Sequence, residues 1–315
     1  MTSLVVGSVA FDTVETPFGR VDDALGGTAV YFSVAATLFT QVKLVGVVGT
    51  DFPDEATALL RRRGVDLSGL QRRDGRTFRW VGQYDYDMNV AHTLDTRLNV
   101  FETFHPAIPE HYRDAEFVFL GNIDPVLQRE VLSQVKSPAL TALDTMNFWI
   151  SGAREALVDV VRRVDAILIN EGEIRELTGR YNVLDAAREV QAMGPRYVVV
   201  KRGEYGSFLF AGREMFLVPA YPTFDVRDTT GAGDSFAGGF IGYLDRCGSL
   251  DLSDVKAAVV YGTVMASFTV EDFSVNGLLR ANAGALHDRF KRLADITRIE
   301  VPVDIPEIEL VTEGV

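Results

Sequence analysis

Glycines and a carboxylate are concentrated in one segment of the C-terminal third of the chain. Residues 228–240 read DTTGAGDSFAGGF, so Gly231-Ala232-Gly233 is followed directly by Asp234. The segment comes after a β-like run, Tyr221–Val226, and leads into a helical stretch rich in small residues. Free N–H groups at the start of a helix and the positive end of its dipole attract negative charge. The pattern predicts an anion hole for a phosphoryl group, with Asp234 as the base that takes a proton from an attacking hydroxyl.

Two considerations compete with this interpretation of Asp234. A glycine-rich turn can simply precede a helix that its aspartate caps. A helix N-terminus also lowers the pKa of a nearby carboxylate, which weakens it as a base. The length of the segment and its position between a β-like run and a helix favour the catalytic interpretation.

Near the N-terminus, the segment GSVAFD ends in Asp12, and a diglycine, Gly26-Gly27, follows. A carboxylate at the end of a strand can accept hydrogen bonds from two hydroxyls of a small ligand. Glycines permit a ligand to approach the backbone closely. The alternative for Asp12 is an acid in a surface turn.

Two polar segments each follow an apolar, strand-like run. Asn170-Glu171-Gly172-Glu173 follows the run AILI. Lys201 is the last residue of the run YVVVK, and Arg202 and Gly203 come directly after it. A carboxylate beside nucleotide phosphates can hold Mg²⁺ through its water shell, because Mg²⁺ dehydrates reluctantly. The competing interpretations are a solvated helix N-terminus and a plain β-hairpin turn.

In this order, the segments resemble the ribokinase-like (PfkB) carbohydrate kinase family over nearly the whole chain. The resemblance implies that Asp234 is the catalytic base and that the N–H groups of Gly231, Ala232 and Gly233 form the anion hole. It also assigns binding roles to further positions. These are Asp12, Gly26, Gly27 and Tyr31 for the acceptor, Lys201, Gly203, Thr229 and Asn276 for the nucleotide, and Asn170 and Glu173 for the metal.

Two of these assignments have a particular basis. Many members carry Asn where this chain has Tyr31, four residues after the second glycine, so an aromatic ring is expected to pack on the apolar face of the acceptor. Asn276 lies in the segment 266–276, where the family builds its adenine pocket and where many members bind a monovalent cation. K⁺ is therefore an open expectation beside ATP and Mg²⁺.

The resemblance implies an ATP-dependent kinase that transfers the γ-phosphoryl group to a hydroxyl of a sugar, a polyol or a nucleoside. Two alternatives stay open. One is a vitamin-type kinase of the same superfamily, acting on a hydroxymethyl-pyrimidine or pyridoxal. The other is a ligand-binding regulator that keeps the fold without the reaction.

The elements that must position these residues alternate between short β-rich runs and longer helical stretches. This alternation predicts an α/β fold with a doubly wound, mostly parallel sheet flanked by helices, within one domain over residues 1–315. The predicted strands are Leu4–Val9, Val42–Val48, Glu116–Leu120, Leu140–Leu143, Ala166–Ile169, Tyr197–Lys201 and Ser207–Phe210. The predicted helices are Thr28–Leu38, Asp54–Arg63, Pro125–Gln134, Ala153–Arg163, Glu173–Leu177, Leu184–Met193, Gly233–Leu244 and Val255–Val270.

Residues 10–21 and 76–104 break this alternation, because both are β-rich without a helical period. They predict a small β-sheet that protrudes from the core as a lid. One face is expected to cover the acceptor and the other to expose aromatic residues such as Trp80. Exposed edges and apolar patches invite pairing, so we expect a homodimer joined through the lids, as the resemblance also implies.

Composition limits the partners and the location. The 315 residues include 44 acidic and 31 basic side chains, for a formal net charge of −13. A chain this acidic repels a phosphate backbone, so we expect no nucleic-acid partner. No apolar stretch approaches the roughly 20 residues of a membrane span, and no basic leader begins the chain. The sequence thus predicts a soluble cytoplasmic protein without a membrane partner.

Overall fold

The structure, a computed structural model, describes residues 2–298. The predicted domain of residues 1–315 therefore includes Met1 and residues 299–315, which lie outside the described part. The strands are β1 Thr2–Val6, β2 Ala10–Thr16, β3 Gly19–Gly26, β4 Gln41–Gly49, β5 Val65–Arg73, β6 Phe78–Tyr84, β7 Ala91–Arg97, β8 Phe117–Leu120, β9 Leu140–Leu143, β10 Ala166–Asn170, β11 Tyr197–Lys201, β12 Ser207–Ala211 and β13 Glu214–Val218. The helices are α1 Thr28–Ala36, α2 Asp54–Arg62, α3 Pro125–Gln134, α4 Asn147–Gly152, α5 Arg154–Val161, α6 Glu171–Thr178, α7 Val183–Met193, α8 Ala232–Cys247, α9 Leu252–Thr269, α10 Asn276–Arg280 and α11 Ala283–Thr297.

Nine strands form one large sheet in the order β13-β12-β11-β10-β9-β8-β1-β4-β5. The seven strands β11, β10, β9, β8, β1, β4 and β5 pair parallel with their neighbours. At one edge, β12 pairs antiparallel with β11, and β13 pairs antiparallel with β12. The chain winds outward from β1 in one direction and then from β8 in the other. Ligands of such sheets bind beyond the carboxyl ends of the strands near this reversal. The predicted doubly wound α/β class is confirmed.

Apolar side chains are buried on both faces of this sheet. On one face, Leu168 and Val199 join a cluster with Phe32 of α1 and Phe240 of α8. On the other face, the adjacent residue Ile167 packs in a second cluster that includes α5 and α7. Continuous apolar strands are stable in this setting because consecutive side chains enter opposite layers.

Four strands form a separate small sheet in the order β3-β2-β6-β7. It matches the lid expected from residues 10–21 and 76–104, although its β3 strand extends to Gly26 and residues 99–104 are not part of it. The register pairs Asp12 with Trp80 and Val14 with Gly82, so these side chains share one face of the lid. The expectation that Trp80 lies on the outer face is wrong, because the register places it on the face of Asp12.

The structure also corrects several predicted elements. Residues 221–226, expected as a β-like run, form no strand. Strands β5 and β13, which lie at the two edges of the large sheet, were not predicted. Polar residues hide the apolar pattern of β5, whereas β13 is a short apolar segment directly after a turn. The C-terminal part contains α10 and α11 in addition to the two predicted helices. Within residues 2–298, no helix combines the length and apolar character needed to cross a membrane.

Candidate active site

Three polar side chains lie at the carboxyl ends of adjacent strands of the large sheet. Asp144 follows β9, Asn170 ends β10 and Lys201 ends β11. The start of α8 reaches the same region, because Lys201 Nζ would lie 3.0 Å from a Cβ atom placed on Gly233. The fold thus brings four separate segments of the sequence to one place.

The loop before α8 has the form of an anion hole, with one change from the prediction. Gly231 has φ 74°, a left-handed conformation that glycine adopts readily. The N–H group of Ala232 donates to the carbonyl of Thr229 at 3.2 Å, so it is occupied within the loop. Among residues 2–298, the N–H groups of Gly231 and Gly233 have no hydrogen-bond partner. These two groups are therefore available to an anion.

Asp234 lies in the first turn of α8 and is partly buried. Burial, followed by the negative charge of Asp144, raises the pKa of Asp234 to about 7, although Lys201 and Thr28 act in the opposite direction. The helix dipole led to the opposite expectation, but loss of solvent outweighs it here. A carboxylate with a pKa near neutral is well matched to general-base catalysis.

Lys201 forms an ion pair that the sequence did not indicate. Its Nζ atom donates to Asp144 Oδ2 at 3.0 Å, and both side chains are largely buried. Burial lowers the pKa of Lys201, but the charges of Asp144 and Glu173 outweigh this effect and raise the value, so the ammonium stays charged. Asp144 was missed because a single acid after the short strand β9 carries no recognisable pattern.

The predicted metal residues form a helix cap. Asn170 Oδ1 accepts from the Glu173 N–H at 2.8 Å, and Glu173 Oε2 accepts from the Asn170 N–H at 2.9 Å. Glu173 is nonetheless buried and near Asp144 and Lys201, unlike an acid at a solvated helix end. Burial, followed by the charge of Asp144, raises the pKa of Glu173 to about 7.

Asp12 lies buried where β2 leaves the body of the protein for the lid. Any side chain at Gly26 would overlap Asp12 Oδ2, so glycine is required there for the carboxylate to occupy this position. Burial raises the pKa of Asp12 to about 7, the Gly27 N–H lowers it, and the charges of Asp228 and Asp234 raise it. The predicted acceptor acid and the predicted base thus interact electrostatically.

Tyr31 is placed differently from the expectation. Its ring is 1% exposed and lies against Gly231, where a Cβ atom would be 2.4 Å from the ring. Its hydroxyl is buried and has no hydrogen-bond partner among residues 2–298. Burial, followed by the charges of Asp12 and Asp228, raises its pKa. The ring packs against the loop predicted to form the anion hole, while the hydroxyl lies close enough to the two acids to interact with them.

The tip of the lid contacts the loops assigned to the nucleotide. Tyr84 Oη lies 3.2 Å from Thr230 Oγ1, and the Thr229 hydroxyl donates to the Met88 carbonyl at 2.8 Å. A side chain at Gly203 would meet Asn89 Oδ1, so the tip also lies against this turn. Gly203 belongs to the hairpin turn between β11 and β12, which matches the alternative interpretation of this segment. The lid is closed onto the body.

Asn276 lies at the exposed start of α10 and makes no side-chain hydrogen bond within the described part of the chain. Preceding it, the loop after α9 contacts the start of the DTTGAGD segment, because the N–H groups of Arg227 and Asp228 both donate to the Val270 carbonyl. Asp228 is 1% exposed, and its Oδ2 atom has no partner among residues 2–298. Asp228 was not among the site residues predicted from the sequence.

Comparison with known proteins gives several matches. Residues 6–281 match the model of the pfkB family of carbohydrate kinases. A cytidine kinase of Thermococcus kodakarensis is 34% identical over 264 residues, which cover 80% of this chain and 94% of the relative. Among solved structures, the aminoimidazole riboside kinase of Salmonella enterica, complexed with aminoimidazole riboside and an ATP analogue, has a TM-score of 0.75 at 18% identity, covering 92% of this chain and 100% of that one.

An E. coli protein designated ribokinase II, in complex with ATP and Mg²⁺, has a TM-score of 0.75 at 19% identity, covering 92% of this chain and 99% of that one. These structural likenesses concern the fold, whereas the family model covers the site itself, from the strand before Asp12 to α10. With its glycine loop, its aspartate and its separate small sheet, the chain belongs to the pfkB family of carbohydrate kinases.

Proposed function

We propose that this kinase transfers the γ-phosphoryl group of ATP to a hydroxyl of a ribonucleoside. The observation that carries the proposal is the convergence of Asp234, the free N–H groups of Gly231 and Gly233, and the Lys201 ammonium. A base beside a cationic hole is what phosphoryl transfer to an alcohol requires, because this chemistry depends on positioning and charge.

In the proposed reaction, Asp234 accepts the proton of the acceptor hydroxyl as the new oxygen–phosphorus bond forms. The bond between the γ-phosphorus and the β-γ bridging oxygen breaks, and ADP leaves with the electron pair. The N–H groups of Gly231 and Gly233 bind the charge on the oxygens of the transferred group. The closed lid excludes water, which would otherwise compete as acceptor.

The residues at the carboxyl edge fit a nucleotide with Mg²⁺. Within residues 2–298, no group of three or more metal-binding side chains is assembled. Mg²⁺, which neutralises phosphate charge when bound, would therefore be held mainly by phosphates and water, with Glu173 as a carboxylate in its surroundings. We also propose that the enzyme acts in the cytoplasm, where ATP is abundant.

Support for a nucleoside acceptor comes from the cytidine kinase relative and from the lid. Trp80 shares the face of Asp12, and its indole lies over Gly82 with Nε1 donating to Thr93 Oγ1 at 3.1 Å. A flat, fixed aromatic ring beside the acceptor acid suits a planar base. Asp12 and the unpartnered Tyr31 hydroxyl would bind hydroxyls of the sugar ring, and cytidine is the first candidate.

Asp228 supports the K⁺ expectation. A buried carboxylate oxygen without a partner is costly unless a ligand satisfies it, and oxygen atoms are the ligands that hard cations prefer. We propose that a monovalent cation beside Asp228 activates the enzyme. Its test is turnover in K⁺ compared with an equal concentration of tetramethylammonium, where a K⁺-independent rate would reject the proposal.

We further propose that two lids pair along β7 in a homodimer. This strand is one of the two edge strands of the small sheet, and Leu94 within it is 59% exposed. Antiparallel pairing of two β7 strands would satisfy the open edge. Leu94→Pro should give a monomer by light scattering, whereas Phe148→Lys, at an exposed aromatic residue in α4, should stay dimeric. A monomeric wild type would exclude the dimer.

An ADP-release assay with a panel of nucleosides, pentoses, hexoses and inositols tests the proposed acceptor. We expect release to be fastest with a ribonucleoside. Turnover confined to a sugar or an inositol would overturn the nucleoside assignment. Turnover confined to hydroxymethyl-pyrimidine or pyridoxal would favour the vitamin-kinase alternative, and absence of ADP with every acceptor would favour a regulator.

A further inference from the structure

The active-site edge contains more negative charge than the proposed reaction uses. Asp144, Glu173 and Asp234 all interact electrostatically with one ammonium group, that of Lys201. Among residues 2–298, Lys201 Nζ makes its hydrogen bond with only one of them, Asp144, at 3.0 Å. The proposed function assigns roles to Asp234, Glu173 and Lys201 but none to Asp144.

Asp144 is held firmly by its surroundings. Its N–H donates to the Leu120 carbonyl at 2.9 Å, and its own carbonyl accepts from the buried Gln128 side chain at 3.1 Å. Its Oδ1 atom accepts from the Thr145 N–H at 2.9 Å, which leaves Oδ2 directed to Lys201. The carboxylate is therefore a fixed anchor, whereas lysine has a long and flexible side chain.

The position of the ammonium depends on this anchor. Lys201 Nζ would lie 3.0 Å from a Cβ atom placed on Gly233, so the ammonium lies next to this residue of the glycine loop. A buried lysine without its partner would seek another carboxylate, since an uncompensated buried charge is strongly unfavourable. The alternatives nearby are Glu173 and Asp234, and an ion pair with Asp234 would occupy the catalytic base.

We infer that Asp144 is a positioning residue for phosphoryl transfer, which keeps the Lys201 ammonium at the anion hole and off the Asp234 carboxylate. The inference rests on the proposed function. It assigns Asp144 no contact with the substrate. At a pH where Asp234 is deprotonated, the effect of Asp144 on kcat should depend on Lys201.

A double-mutant cycle in turnover tests this dependence. Asp144→Asn keeps the shape and the Thr145 contact, and we expect it to lower kcat by roughly 10–100-fold while acceptor KM changes little. Lys201→Met should lower kcat at least as much. In the Lys201→Met background, adding Asp144→Asn should lower kcat less than about twofold. A cost equal to that in the wild-type background would overturn the inference, because Asp144 would then act independently of Lys201.

Two further readouts distinguish positioning from a structural role. Because the charge of Asp144 raises the pKa of Asp234, Asp144→Asn should move the acidic limb of the pH–rate profile to lower pH. A crystal structure of the ligand-free Asp144→Asn variant should show Lys201 Nζ bonded to Asp234 or Glu173. A Lys201 side chain in the wild-type position would contradict the inference, whether or not the wild type is an active kinase. A wild type that phosphorylates none of the acceptors would instead reject the proposed function.

Asp165→Asn is the matched control for Asp144→Asn. Asp165 directly precedes β10, so it lies at the amino ends of the strands, opposite the carboxyl ends where the site lies. Its Oδ2 accepts from both the N–H and the hydroxyl of Thr141. This variant should keep the wild-type kcat and pH profile. If both variants lose kcat equally, loss of a bonded carboxylate from the sheet explains the result and the positioning role is rejected.

Discussion

The ring of Tyr31 lies against Gly231, and a Cβ atom on that glycine would be 2.4 Å from it. Gly231 also has φ 74°, so both space and backbone conformation restrict this position to glycine. The contact joins α1, which follows the acceptor diglycine, to the loop that would bind the phosphoryl group. The parts of the site proposed to bind the acceptor and the phosphoryl group are thus in direct contact within the core.

Removal of the base tests the role of Asp234. Asp234→Asn retains the side-chain shape and eliminates the proton acceptor, so kcat should fall by about 10²–10⁴ while nucleotide binding is kept. An ADP-release assay measures kcat, and calorimetric titration with an ATP analogue measures nucleotide binding. Turnover close to that of the wild type would show that another group accepts the proton.

The pH dependence of kcat/KM for the acceptor is predicted from the pKa of Asp234 in the free protein. Burial raises this pKa to about 7, and the proposed base works only when deprotonated. The value of kcat/KM should therefore rise with pH through a midpoint near 7 and level off above it. A rate that is constant from about pH 5.5 to 8.5, or that falls with rising pH, would contradict this assignment.

The unpartnered hydroxyl of Tyr31 predicts a selective effect on the acceptor. Tyr31→Phe keeps the ring on Gly231 and should raise the KM of a ribonucleoside about tenfold, the value of one hydrogen bond. A deoxynucleoside can lack the sugar hydroxyl that Tyr31 is proposed to bind. For that deoxynucleoside, Tyr31→Phe should change KM less than about twofold.

Tyr84→Phe provides the comparison, because the Tyr84 hydroxyl already has a partner in Thr230. It should affect ribonucleosides and their deoxy analogues to the same degree. If Tyr31→Phe also weakens all acceptors equally, its hydroxyl does not bind the sugar ring.

The lid face can be tested at Gly82. A Cβ atom there would lie 2.0 Å from the Trp80 ring, so Gly82→Ala must displace the indole. We expect acceptor KM to rise about 5–10-fold, the scale of an aromatic contact, with ATP KM unchanged. Gly152→Ala, where a Cβ atom meets no neighbour within 4 Å, should leave both constants unchanged. An unaltered acceptor KM in Gly82→Ala would show that Trp80 does not contact the acceptor.

The sequence was sufficient for the fold class and for the segments that meet at the site. Apolar runs such as Ala166–Asn170 predicted buried parallel strands, and the carboxyl ends of parallel strands necessarily share one edge. The β-rich stretch around Trp80 predicted a separate sheet. These features are local patterns, which a single sequence displays directly.

What could not be predicted depends on contacts between distant segments. The face of Trp80 follows from its pairing with Asp12, 68 positions earlier in the chain. The pKa of Asp234, in α8, is raised by burial and by the charge of Asp144, which follows β9. The use of the Ala232 N–H within its own loop depends on the exact turn, which the residue types leave open.

The fate of the γ-phosphoryl group separates phosphorylation of a nucleoside from hydrolysis of ATP. ATP labelled at its γ-phosphorus is incubated with cytidine and the enzyme, and the products are separated. We predict that the label enters a phosphorylated nucleoside with the wild type and that Asp234→Asn forms this product at least about 100-fold more slowly. Label that appears only as inorganic phosphate, or equal product formation by the two proteins, would contradict the account.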